Sequence, residues 1–360
     1  MDRRAFLRTS GMAAAVAALP WHRALAAEGW RTFETVTRVE VLNSGGKSLA
    51  WVPLPLAESS DWFRDLSSSW SGNASEAGIE RDGKYGARML AAEWRAELSS
   101  PVVEVTSRFM TRDRAVDLSR RPDPALRLAA AEMAFHTAPT DLIPTDGIVR
   151  ETALEVTRRA RTDVQKARAI YEWVVDNTFR DPKTRGCGWG DIKSMLESGN
   201  LGGKCGDLNA MFVGLARAAG IPARDVYGVR VAPSKYGYKS LGAGSPNISK
   251  AQHCRAEFFA EGYGWVPVDP ADVRKVILEE PPGKLAIDDP KVVAARKRLF
   301  GAWEMNWLAY NTAHDVALPG SSGPKLPYLM YVNAESGGER RDQLEPETVK
   351  YRITAREVTA

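Results

Sequence analysis

The sequence is short of the residues from which redox, metal and membrane functions are usually built. Its only three cysteines are Cys187, Cys205 and Cys254. None is spaced as C-x-x-C, so dithiol redox chemistry has no local motif. The four histidines, His22, His136, His253 and His314, show no ligand-like spacing, and no metal or cofactor is expected. No apolar run approaches the ~20 residues that cross a bilayer, so no transmembrane segment is expected. Lysine and arginine form no stripe of the kind that tracks a phosphate backbone, so nucleic acid is not an expected partner. What remains is an ordinary globular balance, 44% hydrophobic and 26% charged over 360 residues, enough for two or three folding units.

The first 26 residues read as an export signal. Arg3-Arg4 begins a twin-arginine pattern, a short apolar run covers Gly11 to Leu19, and Ala24-Leu25-Ala26 makes an A-x-A cleavage site. Removing this segment takes away four arginines and one aspartate, and the formal charge falls from +4 to +1. The basic character therefore belongs largely to the signal. Export to a bacterial periplasm is the expected localisation. An odd number of cysteines in an oxidising compartment leaves at least one unpaired or joined to another molecule.

From Trp30 to about Ser119 the pattern has period two. Phe33, Thr35, Thr37, Val39 and Val41 alternate with polar residues, as a half-buried strand requires. Further runs, Leu49 to Val52, Gly86 to Trp94 and Val102 to Met110, are separated by Ser-rich and Asp-Gly turn signals. Pro53 and Pro55 place the second run at a sheet edge or end it. These features predict a small antiparallel β-domain over 27–119, sandwich-like, for binding or scaffolding.

Helical patterns follow at Ala125 to Phe135, Gly147 to Ala160, and after Thr162, where Ala169, Ile170, Trp173 and Val174 share an apolar side. Ser234 to Ser249, rich in Gly, Tyr and Ser, reads as a surface loop. Beyond Pro281 the pattern is less regular. The aromatic run Phe300 to Tyr310 reads as core packing or a cleft wall, and Tyr328 to Val332 and Val349 to Ile353 as strands. Helices followed by strands make the fold class α+β, with a core domain over 120–280 and a C-terminal extension over 281–360.

The stretch that carries chemistry is Gly202-Gly203-Lys204-Cys205-Gly206-Asp207, followed by Leu208, Met211, Phe212 and Leu215 at helical spacing and stopped by Gly220 and Pro222. Cys205 falls at the positive end of that helix, where a thiolate is favoured over a thiol. Its backbone N–H is one oxyanion donor. Cys254 to Phe259 and Trp265 to Val268 predict a hairpin turning at Glu261-Gly262-Tyr263-Gly264. His253 opens its first strand and Asp269 closes its second, so antiparallel pairing brings them side by side. A thiol, an imidazole and a carboxylate in this arrangement make a nucleophile, its general base and the group that orients the base.

Gly203-Lys204-Cys205-Gly206-Asp207, Gly220-Ile221-Pro222-Ala223-Arg224, His253 with Glu257, and Gly264-Trp265-Val266-Pro267-Val268-Asp269 together resemble the transglutaminase-like superfamily of papain-type cysteine enzymes. The resemblance covers about residues 160–272. It implies a transglutaminase-like core with an antiparallel sheet and N-terminal helices, preceded by a β-domain. It also implies a catalytic triad of Cys205, His253 and Asp269. The superfamily holds transferases, peptidases, amidases and inactive members. Lys204 and Gly206, where an apolar and a bulkier residue are more usual, and Cys254 after the histidine depart from its pattern and bear on substrate preference.

Each residue also has a plainer reading. Cys205 can be a small core residue, His253 a satisfied structural histidine, Asp269 the start of a turn with Asp272 as competitor, and Asp207 a charge favouring the helix start. Trp189 reads first as a packed aromatic and second as an oxyanion donor. The expected function is an exported thiol enzyme that cleaves or transfers a peptide or amide acyl group through a thioester. The partner would be a peptide or protein, a cell-wall peptide among them. The alternative is an idle domain serving as a periplasmic binding or assembly module.

Overall fold

The computed structural model describes residues 29–42, 46–98, 100–344 and 349–358. The expected signal segment over 1–26 lies outside the described residues.

Six strands come first: β1 (Arg31–Glu40), β2 (Ser48–Pro53), β3 (Phe63–Gly72), β4 (Glu76–Arg81), β5 (Arg88–Trp94) and β6 (Val102–Thr111). The helical stretch holds α1 (Ala130–Thr137), α2 (Gly147–Thr157), α3 (Asp163–Asn177), α4 (Ile192–Ser198) and α5 (Cys205–Ala218). Then follow β7 (Ala223–Arg230), β8 (Gln252–Ala260), β9 (Gly264–Val268), α6 (Pro270–Glu279), α7 (Pro290–Arg298), β10 (Trp307–Asn311), β11 (Asn333–Ser336) and β12 (Lys350–Glu357). Among the described residues no helix is long and apolar enough to cross a membrane. The architecture is α+β with antiparallel sheets.

Two sheets form the N-terminal sandwich. One runs β12-β1-β6-β3, and the other runs β11-β2-β5-β4, with the short strand Glu339–Arg340 at its edge. Val39 and Val105 from the first sheet meet Val52, Leu90 and Trp94 from the second. Burying each such side chain contributes about 1.5–3 kcal/mol. The expected extension over 281–360 is spread across the molecule, because β11 and β12 complete the N-terminal sheets while β10 joins the central one. β2 lies inside its sheet. Pro53 is tolerated there because pairing with β11 stops at Trp51, and beyond it β2 pairs only with β5. The Ser-rich stretch read as a turn signal is β3. It pairs with β6, and Ser68 Oγ meets Ser107 Oγ at 2.9 Å. As an edge strand with an exposed outer face, it needs no apolar alternation.

The central sheet runs β9-β8-β7-β10, with α5 packed against β8 and β7. Thr162 caps α3 by accepting the Gln165 N–H at 3.2 Å, the cap its sequence predicts. α1 begins five residues later than expected, after Ala129, whose N–H donates to Glu132. α5 differs from its one-faced pattern, since every residue from Cys205 to Ala218 is buried. The central sheet, α2, α3 and α6 all pack against it, so the helix is enclosed all round. This rigid, central helix carries Cys205 on its first turn.

Candidate active site

Cys205 is the first residue of α5, after Lys204 in extended conformation. The helix start is pinned by Asp207, whose carboxylate accepts the N–H of Lys204 at 3.0 Å and that of Gly190 at 2.9 Å. Burial raises the Asp207 carboxyl to about 6, partly offset by those backbone hydrogen bonds. The loop it ties down needs glycine at two points. Gly188 has φ +90°, and a Cβ there would lie 1.8 Å from an Asp207 oxygen. Gly206 donates its N–H to the Cys187 carbonyl at 2.8 Å, and a Cβ there would lie 2.7 Å from that oxygen. The unusual Gly206 is thus explained by the close passage of the Cys187 loop.

The hairpin pairs as expected: Ala256 faces Val268, and Ala260 faces Gly264. This register brings the ends together. His253 Nε2 lies 2.7 Å from Asp269 Oδ2 and 3.4 Å from Asp272 Oδ1. Asp269 is the closer partner and also caps α6, accepting the Asp272 N–H at 3.0 Å. Asp272 is committed elsewhere, held by Arg230 Nη2 at 2.6 and 2.8 Å. Burial and Arg230 push the imidazole down, but Asp272 and Asp269 outweigh them and hold His253 above its ordinary value. Burial raises Asp272, yet Arg230 outweighs it and keeps that carboxyl below its usual range. Nε2 is engaged by Asp269, so Nδ1 is the nitrogen left for a thiol. Among the described hydrogen bonds none joins Cys205 to His253; such contacts often tighten only with substrate.

Cys205 and His253 line one cavity of about 670 Å³, together with Cys187 and Tyr331. Arg180, Lys204, Arg230, Lys250 and Lys275 also line it, and among the described residues no carboxylate does. The loop over 234–249 contributes Gly242 to Gly244 to its wall.

Several supporting residues were not singled out from the sequence. Asn209, one turn into α5, donates to the Cys254 carbonyl at 2.8 Å and to Asp269 Oδ1 at 3.3 Å. The Trp307 indole donates to the His253 carbonyl at 3.1 Å. Arg255 is stacked 4.7 Å over the Trp307 ring, with its Nε 3.8 Å from Asp269. Asn209 lay at helical spacing among apolar residues, a polar interruption that marks a buried partner. Trp189 is 42% exposed and does not line the cavity, so it is neither a packed aromatic nor placed as an oxyanion donor. Glu257 is spent on Arg114 and on Arg224 at 2.6 Å, a structural ion pair.

All three cysteines are free and buried. Their sulfurs lie within 4.8 Å of one another. Hydrogen bonding with Cys205 and then Cys254 pulls Cys187 well below the usual thiol range. Burial pushes Cys254 well above it.

The sequence profile of the transglutaminase-like superfamily matches residues 150–270, the stretch that holds α5, the hairpin and Asp269. The chain belongs to the transglutaminase-like superfamily. An uncharacterised protein of Haemophilus influenzae is 37% identical over 331 residues, covering 88% of each chain. A solved candidate cysteine protease from Cytophaga hutchinsonii is 13% identical and covers 92% of each chain with a TM-score of 0.56. That likeness is one of fold.

Proposed function

We propose that this transglutaminase-like protein is an exported thiol enzyme that cleaves or transfers a peptide or amide acyl group. The observation that carries the reading is the 2.7 Å contact of His253 with Asp269 on the wall of the cavity that Cys205 also lines. In this reading Cys205 Sγ attacks the carbonyl carbon while its proton passes to His253 Nδ1. The Cys205 N–H supports the oxyanion. The tetrahedral species collapses to a thioester, and His253 returns the proton to the leaving amine. Water then attacks the thioester, which makes hydrolysis the default outcome. Asp269 fixes the imidazole and stabilises its charged form, and Asn209 steadies Asp269.

The cationic cavity wall favours a substrate that bears carboxylates near the cleaved bond. Acidic cell-wall peptides have that chemistry, and the twin-arginine pattern would deliver the enzyme to their compartment. The test is turnover of a library of acidic, neutral and basic peptides and peptidoglycan fragments by wild type and Cys205→Ala. Acidic substrates cleaved by wild type alone are expected. Equal turnover by Cys205→Ala would overturn the assignment of the nucleophile.

A further inference from the structure

We propose that Cys187, Cys205 and Cys254, with the thioether of Met330, form a binding site for monovalent copper. The binding itself stands apart from the acyl chemistry proposed above.

The three cysteines are the only ones in the chain, and they arrive from three different elements. Cys187 comes from the loop before α4, Cys205 from the start of α5 and Cys254 from β8. Their sulfurs all lie within 4.8 Å of one another. An ion with metal–sulfur bonds of about 2.3 Å holds three sulfurs roughly 4 Å apart in a trigonal plane, so shifts under about 1 Å close the site around one ion. A fourth sulfur stands behind them: Met330 Sδ is 3.8 Å from Cys254 Sγ.

This donor set is soft throughout. Thiolates and a thioether select monovalent copper over harder ions, whose preference is for oxygen or imidazole. His253 is tied through Nε2 to Asp269, and its Nδ1 is the nitrogen the acyl chemistry above assigns to the Cys205 proton. Leu208, Tyr227 and Tyr328 pack with the sulfurs as a mostly apolar cluster, which limits water on the sides that the cavity does not reach. Access is provided by the cavity, which reaches Cys187 and Cys205. Three thiolates around one copper(I) leave a net negative charge. Lys204 on the cavity wall offsets part of it, together with Arg180 and Lys275, which share Glu279.

In the binding step three sulfur–copper bonds form and the thiol protons pass to solvent, with no electron transferred. Cys205 Sγ then gives its lone pair to the metal, so a copper-loaded protein is expected to lose any activity that depends on that sulfur as nucleophile. A chelator restores it.

The experiment is anaerobic titration of the reduced full chain with copper(I) in competition with a chromogenic copper(I) chelator. One ion per chain is expected, with an ultraviolet sulfur-to-copper band. Cys187→Ser and Cys254→Ser should each weaken binding at least tenfold, and Met330→Leu severalfold. Circular dichroism identifies any variant that fails to fold; Cys187→Ser, on a loop, then carries the test alone. Binding below one ion per chain overturns the proposal, as does affinity unchanged in folded Cys187→Ser. Tighter binding of zinc than of copper(I) also overturns it.

Discussion

The two walls that meet at Cys205 have opposite chemistry. On one side His253, Asp269, Asp272, Arg230 and Arg255 form a buried, charged network in which most polar atoms have a partner within hydrogen-bond distance. On the other side Cys187, Cys254 and Met330 sit in an apolar shell with tyrosines. The charged wall fixes one geometry, because each carboxylate is assigned to a partner and a lost partner leaves a buried charge. The sulfur wall fixes proximity but no single bonding pattern, since free thiols hydrogen-bond weakly. In the two proposals above, Cys205 therefore faces one wall suited to proton transfer and one suited to soft ligands.

Predictions that separate the two walls run from large to small. Cys205→Ala and His253→Ala should each lower turnover by about 10³-fold or more, measured on a substrate found in the library above. Cys254→Ala on the sulfur wall should leave far more activity. If Cys254→Ala is as damaging as His253→Ala, the division between the walls fails.

Asp272→Asn should act on stability. It leaves the Arg230 guanidinium, 3% exposed, without its carboxylate and should cost about 3–5 kcal/mol in denaturant unfolding. Asp269→Asn should instead show its main effect in turnover, because it disturbs the tautomer of His253. Equal stability losses in the two variants would erase the distinction between Asp269 and Asp272.

Asp207 predicts a pH effect. Its carboxyl lies at about 6 in the folded protein against 3.8 in an unfolded chain. The folded state therefore binds the proton more tightly, and this contribution is fully present below about pH 4. It is lost as pH rises through about 6, by roughly 3 kcal/mol in all. Comparing unfolding of wild type and Asp207→Asn across pH 4–7 isolates it; parallel profiles would refute the assignment. Trp189→Phe, outside the cavity, should have the smallest effect, with turnover unchanged within about twofold.

Much of the charged wall was legible in the sequence because local rules set it. The glycine-rich entry and apolar spacing of α5 locate Cys205, and the Gly262–Gly264 turn fixes the register that brings His253 to Asp269. Arg230 and Trp307 were not legible, since β7 and β10 reach the site only through sheet pairing. β12 was legible as a strand, but its pairing and that of β11 were not, since their partners lie some 280–320 residues earlier in the chain. The Ser-rich β3 was hidden because its outward face needs no apolar signal. The gathering of the cysteines had no local signature, because the three stand 18 and 49 residues apart in sequence.

The central claim is that Cys205 is the activated thiol of this cluster, and Cys187, pulled toward thiolate beside it, is its rival. The most direct measurement is the rate of iodoacetamide labelling of each cysteine in the reduced protein at pH 6, resolved by peptide mass mapping. The account predicts that Cys205 labels first, well ahead of Cys187 and Cys254. Labelling of Cys205 no faster than the other two would contradict it.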